Sequence, residues 1–374
     1  MVKILKTKNK NFAGEFTKLL KKRSGTDAAI EKTVCSIIDA VKKNGDAAVI
    51  NFTNKFDKIN AKKFDDLVVS EKELKNAYNK IPSKIIKSLK NSVKRVKLFH
   101  EKQKPNNLIY KDKEGVTLGS IWNPIESVGL YVPGGKAAYP SSLIMNAVPA
   151  LVAKVPRIVI TVPATNGEIN PLVLACCKIL NIKEIYKVGG AQAISALALG
   201  TTNIKKVDKI FGPGNAYVAL AKKKFFGTVG IDMIAGPSEI LVLADKKNNP
   251  KHIAIDLLSQ AEHDELAQSI LVTDDVNFAD IVLEEVEKLL RILERKAIAK
   301  KSWENYGAVI VLENIKESID VINQLAPEHL EIAVKNPNQF LTKIKNAGAI
   351  FLGKYTPEAI GDYIAGPNHV LPTE

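Results

Sequence analysis

The chain has 374 residues, 46% hydrophobic and 25% charged, which is the balance of a globular protein long enough for two domains. Its formal charge is +14, but only five of its 54 basic residues are Arg and they lack interleaved aromatic rings, which argues against a nucleic-acid partner. The three cysteines include an adjacent pair, which argues against a disulfide framework; the most apolar run is broken by Asn146, Pro149, Lys154, Pro156 and Arg157, and the N-terminus lacks a signal-like apolar core, so a cytoplasmic protein with no membrane partner is expected.

Residues 1–110 have helical periodicity. DAAIEKTVCSIIDAVKKNGDAAVINFTNKF places apolar residues at helical spacing and breaks at Gly45. Ser70 and Glu73 stand at N-cap and capping-box positions, and Pro82 with Ser83 marks a helix boundary. Pro105 closes the region. Residues 111–236 change texture. Short strands in VTLGSIWNPIESVGLYVPGG end at Gly134 and Gly135, and strand, glycine loop and helix then alternate. Residues 237–374 alternate again through SEILVLAD, SILVTDD, GAVIVLEN, LEIAV and AGAIFLG. Such alternation predicts βαβ units, parallel sheets and two α/β domains, with ligands beyond the carboxyl ends of the strands.

Four stretches carry chemistry. VPGG, VGGAQA and FGPGNAYV each sit between strand and helix, where glycine lets backbone N–H groups approach a phosphate. None is G-x-G-x-x-G, so a standard dinucleotide fingerprint is absent; Tyr131, Gln192 and Asn215 stand at these loops as ligand contacts. SQAEHD ends the helix that begins after Pro250; Asp256, earlier in that helix, with Gln260 and His263 is spaced to share one helical face, and Gln260 and His263 can reach one metal ion. LAPEHLEI sets Glu328 beside His329, a carboxylate and an imidazole suited to proton transfer, with Pro327 fitted to open a helix. GDYIAGPNHVLPT is too rich in Gly and Pro for a regular helix and offers Asp362 and His369, donors compatible with zinc. These residues define a metal-assisted, nucleotide-dependent reaction. A zinc hydrolase is the alternative enzyme, although H-E-x-x-H is lacking, and a basic nucleic-acid-binding protein is the non-enzymatic one.

Together with GLYVPGGKAAYPSSLIMNAVPA, KIFGPGNAYV and DMIAGPSEILVLAD, these motifs resemble the histidinol dehydrogenase family from about residue 20 to residue 374. The resemblance implies incomplete Rossmann-like parallel sheets in both domains, beside the helical N-terminal region. It implies zinc- and NAD-dependent oxidation of L-histidinol to L-histidine through the aldehyde, the last step of histidine biosynthesis. Gln260, His263 and Asp362 match zinc ligands, with the same three, Ser238, His329 and His369 as substrate contacts. Tyr131, Gln192 and Asn215 match NAD contacts, His329 the general base and Glu328 the water activator. The family implies a homodimer. It also implies a C-terminal tail beyond LPTE that brings a further His ligand and a substrate-binding Glu to the partner's site, so this sequence itself offers three zinc positions.

Overall fold

The computed structural model describes residues 2–21, 28–134, 140–234 and 236–372. Gly135, expected to close the first glycine loop, lies outside the described residues. In chain order the strands are β1 (Lys3–Lys6), β2 (Leu108–Lys111), β3 (Thr117–Ser120), β4 (Ser127–Tyr131), β5 (Arg157–Thr161), β6 (Glu184–Tyr186), β7 (Lys209–Phe211) and β8 (Gly230–Ile231). They continue with β9 (Glu239–Ala244), β10 (Gln268–Thr273), β11 (Ala308–Val311), β12 (His329–Ala333) and β13 (Ala349–Leu352). The protein is α/β, with two parallel sheets and many helices.

Two compact units divide the chain. One comprises Thr26–Ile234 and Tyr363–Val370. Its parallel sheet has the order β6-β5-β4-β7-β8, with Tyr131 opposite Thr161 and Leu130 opposite Phe211. The expected N-terminal helices belong here. Gly45 at φ +50° separates Ala28–Asn44 from Asp46–Asp57, a conformation that favours glycine. Ser70 Oγ accepts the Glu73 N–H at 3.2 Å while Glu73 accepts the Ser70 N–H at 2.8 Å, the reciprocal cap that starts Glu71–Lys80. Val34, Ile37 and Val49 share one core with Ile194 and Leu197 of the helix Gly190–Leu199 and with Ile210 of β7. β2 and β3 form a separate antiparallel ribbon.

The other unit comprises Met1–Gly25, Ala235–Asp362 and Leu371–Glu374. Its parallel sheet runs β1-β11-β10-β9-β12-β13. All residues of β9 and β10 are buried, which explains their near-continuous apolar sequences: both faces of a parallel sheet are covered. The expectation of helix throughout residues 1–110 is corrected at Lys3–Lys6, which pairs in parallel with β11. Ile4 is exposed and Leu5 buried, an alternation too short to announce a strand without the sheet edge that receives it. Leaving β1 aside, the two sheets share one strand order. The first strand is central, the second and third lie on one side, and the fourth and fifth on the other. Among the described residues, no helix is long and apolar enough to cross a membrane.

Candidate active site

Glu328 and His329 do not open a helix, as Pro327 had suggested. The helix Ser318–Leu325 ends at Ala326, whose left-handed φ of +47° lets its N–H reach the Ile322 carbonyl at 2.8 Å. Proline just beyond a left-handed cap terminates a helix, and His329 becomes the first residue of β12, between β9 and β13. The pair therefore stands at the amino end of a central strand. Backbone N–H groups there take carboxylates. The Glu239 N–H donates to Glu328 Oε2 at 3.0 Å, and the Glu328 N–H to Glu239 Oε2 at 3.3 Å. His329 Nδ1 lies 2.9 Å from the Glu239 carbonyl oxygen. A carbonyl can only accept, so this contact assigns the proton to Nδ1 and leaves Nε2 as the basic nitrogen. Nε2 is 3.8 Å from Glu358 Oε1 and 3.9 Å from Asp362 Oδ1.

Further acids surround this imidazole. Glu358 is 2% exposed, and burial, with Asp362 beside it, pushes its carboxyl up to about 10. Burial likewise raises Glu331 well above the carboxylate range, reinforced by Asp256, and lifts Asp256 to about 6; these two carboxyls hydrogen-bond each other. Glu331 Oε1 accepts the Glu358 N–H at 2.6 Å, which ties the turn bearing Glu358 and Asp362 to β12. GDYIAGPNHVLPT, expected to avoid regular helix, follows the short helix Glu358–Ile360 and opens with the π-turn Gly361–Ala365; its described residues beyond Ala365 form no helix. A Cβ on Gly361 would stand 2.7 Å from the Phe351 ring, so glycine permits this close packing on β13.

Gln260 and His263 occupy the end of the helix Pro250–Ala261. Asn249 caps it by accepting the Lys251 N–H at 3.0 Å, and Pro250 takes the first position, where no N–H is needed. The helix stops before His263, so the helical-face spacing fails there. Asp256 meets Glu331, whereas His263 folds back in a turn, its N–H donating to the Gln260 carbonyl at 3.1 Å. Gln260 Nε2 lies 3.1 Å from His263 Nδ1. Gln260 is fully buried, and its Oε1 has no hydrogen-bond partner. The ligand atoms of His329, Glu358 and Asp362 lie within 4.8 Å of one another. The anticipated ligands thus form two contacts, Gln260 with His263 and Asp362 with His329 and Glu358. Ser238 is half-buried just before β9. His369 lies in the segment Tyr363–Val370 of the other unit, beside Asn368, whose Nδ2 donates to the Met145 carbonyl at 2.8 Å.

Glu239, Glu331 and Glu358 were not anticipated. A signal existed for the first two: a Glu within EILVLA and within HLEIA interrupts strand sequence that is otherwise apolar. A buried charge in such a place requires a partner.

The glycine loops gather at the carboxyl ends of the five-stranded sheet. Tyr131 ends β4 and is buried, which pushes its phenol up to about 12; its Oη accepts the Gly190 N–H at 3.2 Å. Cβ atoms on Gly134 and Gly189 would each lie 2.5 Å from the Pro163 ring, so both loops pack on that proline. Gln192 is 1% exposed and its Oε1 has no hydrogen-bond partner. Asn215 is exposed and caps the helix Ala216–Phe225, accepting the Tyr217 and Val218 N–H groups at 3.1 and 3.2 Å. Asp57 accepts the Gly189 N–H.

Two parallel α/β units, one with converging glycine loops and the other with a buried imidazole among carboxylates, define an α/β enzyme equipped for proton transfer. The family model described as histidinol dehydrogenase matches residues 20–374. A histidinol dehydrogenase of Geobacter sulfurreducens is 52% identical over 372 residues, covering 100% of this chain and 87% of the relative. Histidinol dehydrogenase 1 of a Nostoc species is 51% identical, covering 99% and 85%. The crystal structure of histidinol dehydrogenase from Elizabethkingia anophelis superposes with a TM-score of 0.94 at 38% identity, covering 100% of this chain and 85% of that one. The chain belongs to the histidinol dehydrogenase family and is an oxidoreductase. The hydrolase alternative is thereby set aside.

Proposed function

We propose that this protein oxidises L-histidinol to L-histidine through the aldehyde, with zinc and NAD, as the last step of histidine biosynthesis. The carrying observation is the His329 imidazole, oriented by its Nδ1 contact with the Glu239 carbonyl so that Nε2 faces Asp362. Nε2 takes the alcohol proton, and the imidazolium formed lies 3.9 Å from the Asp362 carboxylate, which favours its charge, while Glu358, raised to about 10, stays protonated. Tyr131, Gln192 and Asn215 would hold NAD, which would supply the hydride acceptor, one NAD for each of the two oxidations. Glu328, anchored through Oε2 on the Glu239 N–H, takes a proton from the water that adds to the aldehyde. His329 then acts again on the hydrate. Ser238 and His369 contact the substrate in this reading.

Zinc fits the residues present. The buried Gln260 Oε1 lacks a partner, and His263 and Asp362 supply a nitrogen and a carboxylate oxygen, a borderline set that suits this ion. Gln260, His263 and Asp362 would hold zinc, which would supply a Lewis-acidic anchor for the substrate.

Homodimer formation is part of the proposal. The β2–β3 ribbon supports it: all eight strand residues are exposed, and Ile109 and Trp122 expose 69% and 62%. An isolated ribbon is marginal in water, and such apolar surface marks an interaction site.

The test is NADH formation from L-histidinol and NAD with zinc supplied. Turnover that a chelator abolishes and zinc restores is expected. Turnover unaffected by stripping the metal would refute the zinc assignment, and failure to oxidise histidinol under metal-replete conditions would refute the activity.

A further inference from the structure

Lys222, on the helix Ala216–Phe225, is 1% exposed, and the mechanism above leaves it without a role. A buried ammonium is costly unless it is paired and hydrogen-bonded. Its Nζ forms an ion pair with Asp232 Oδ1 and donates to the Gly212 carbonyl at 2.9 Å. Asp232 completes the circuit. Its Oδ2 accepts the Gly212 N–H at 2.7 Å, and its Oδ1 accepts the Met233 N–H at 2.7 Å. Both polar backbone groups of one residue are thus held by one ion pair, the carbonyl by the cation and the amide by the anion.

Gly212 opens the loop that ends at Asn215. Its φ of +119° belongs to glycine, and a Cβ there would stand 2.0 Å from the Tyr131 carbonyl oxygen. The loop therefore lies directly on the backbone of Tyr131 and is fixed from behind by Lys222 and Asp232. Their side chains are 2% and 5% exposed, so solvent and salt screen the pair weakly. The pair has no net charge, so its effect on a nucleotide is geometric. Apolar side chains of similar volume would fill the space without the desolvation cost, but they would leave the Gly212 N–H and carbonyl unbonded.

We infer that Lys222 and Asp232 are positioning residues for the nucleotide: by bracing Gly212 they hold the loop to Asn215 in the conformation that receives NAD. This deepens the proposed function and rests on its assignment of NAD to these loops.

The test compares Lys222→Met, Lys222→Met with Asp232→Asn, and Asn215→Leu. It measures NAD affinity by calorimetry, KM for NAD, kcat and melting temperature. Lys222→Met strands a buried carboxylate and is expected to melt early. The double variant removes that charge and recovers much of the melting temperature. Its Gly212 carbonyl still lacks a donor, so NAD affinity stays weakened by about threefold to tenfold, up to the worth of one loop hydrogen bond. Because the loss is in binding, kcat at saturating NAD is expected to stay within about twofold of the parent. A folded double variant with parental NAD affinity, while Asn215→Leu is weakened, overturns the brace alone. Parental affinity in Asn215→Leu overturns the loop assignment and the role of the brace with it.

Discussion

The two sheets share a strand order but carry their functional groups at opposite ends. In the five-stranded sheet, Tyr131 ends β4, and Gly189 and Gly212 follow the carboxyl ends of β6 and β7 just before the helices Gly190–Leu199 and Ala216–Phe225. Helix N-termini carry positive partial charge and free N–H groups, which suit a phosphate-bearing ligand. In the six-stranded sheet, Glu239 and His329 are the first residues of β9 and β12, and Gln260 lies in the last turn of its helix. Helix C-termini carry negative partial charge, and the carboxyl groups of Glu239, Glu328 and Asp362 stand beside them, while burial keeps Glu331 and Glu358 protonated until a cation displaces the proton. One end invites an anion and the other a cation. The rule that open α/β sheets bind ligands at their carboxyl ends fits the glycine loops of the first unit, whereas the acidic cluster of the second lies at the amino ends of β9 and β12.

Variants at the two ends should therefore fail in different ways. The largest effect is expected for His329→Ala: kcat should fall by about two to four orders of magnitude, the usual worth of a general base, with NAD affinity unchanged. Near-parental turnover would remove His329 from the chemistry. Next, His263→Ala or Gln260→Leu should lower zinc content measured by elemental analysis, again without altering NAD affinity. Stoichiometric zinc in both purified variants would dissolve the proposed ligand set. Asn215→Leu is expected to show the converse, with NAD affinity reduced about fivefold to tenfold, of the order of one lost hydrogen bond, and zinc content intact.

The smallest effect sharpens the electrostatic contrast. Asp57 places a carboxyl at the anion-seeking end, and burial lifts it from 3.8 to about 6 against the opposing Gly189 hydrogen bond. Its folded pKa is raised, so the folded state binds the proton more tightly. Its contribution to stability is present in full below 3.8 and is lost as pH rises through about 6. Asp57→Asn keeps an oxygen for Gly189 and removes the charge. Its melting temperature should gain on the parent as pH rises across that window, and a constant difference would contradict the assignment.

Much of this was legible in the sequence because local signals sufficed. Ser70 with Glu73, the break at Gly45, and the alternation of buried strands with glycine loops depend on neighbours close in the chain. What was missed depends on pairing across the fold. Lys3–Lys6 becomes a strand only because β11 offers an edge. Pro327 suits a helix start as well as a helix stop, and Ala326, a residue without bias toward positive φ, decided between them. Glu358 stands in TPEAI with nothing to mark it; the Glu331 bond to its N–H brings it to His329. The helical register that grouped Asp256 with His263 ended two residues too early.

The most direct test of the central claim is an anomalous-scattering map at the zinc absorption edge from crystals grown with zinc and NAD. A zinc peak bonded to Gln260 Oε1, His263 and Asp362 at the amino ends of β9 and β12 is expected, with nucleotide density along the loops at Tyr131, Gln192 and Asn215. Zinc at the carboxyl ends of either sheet, or nucleotide at the amino-end cluster, would contradict that claim.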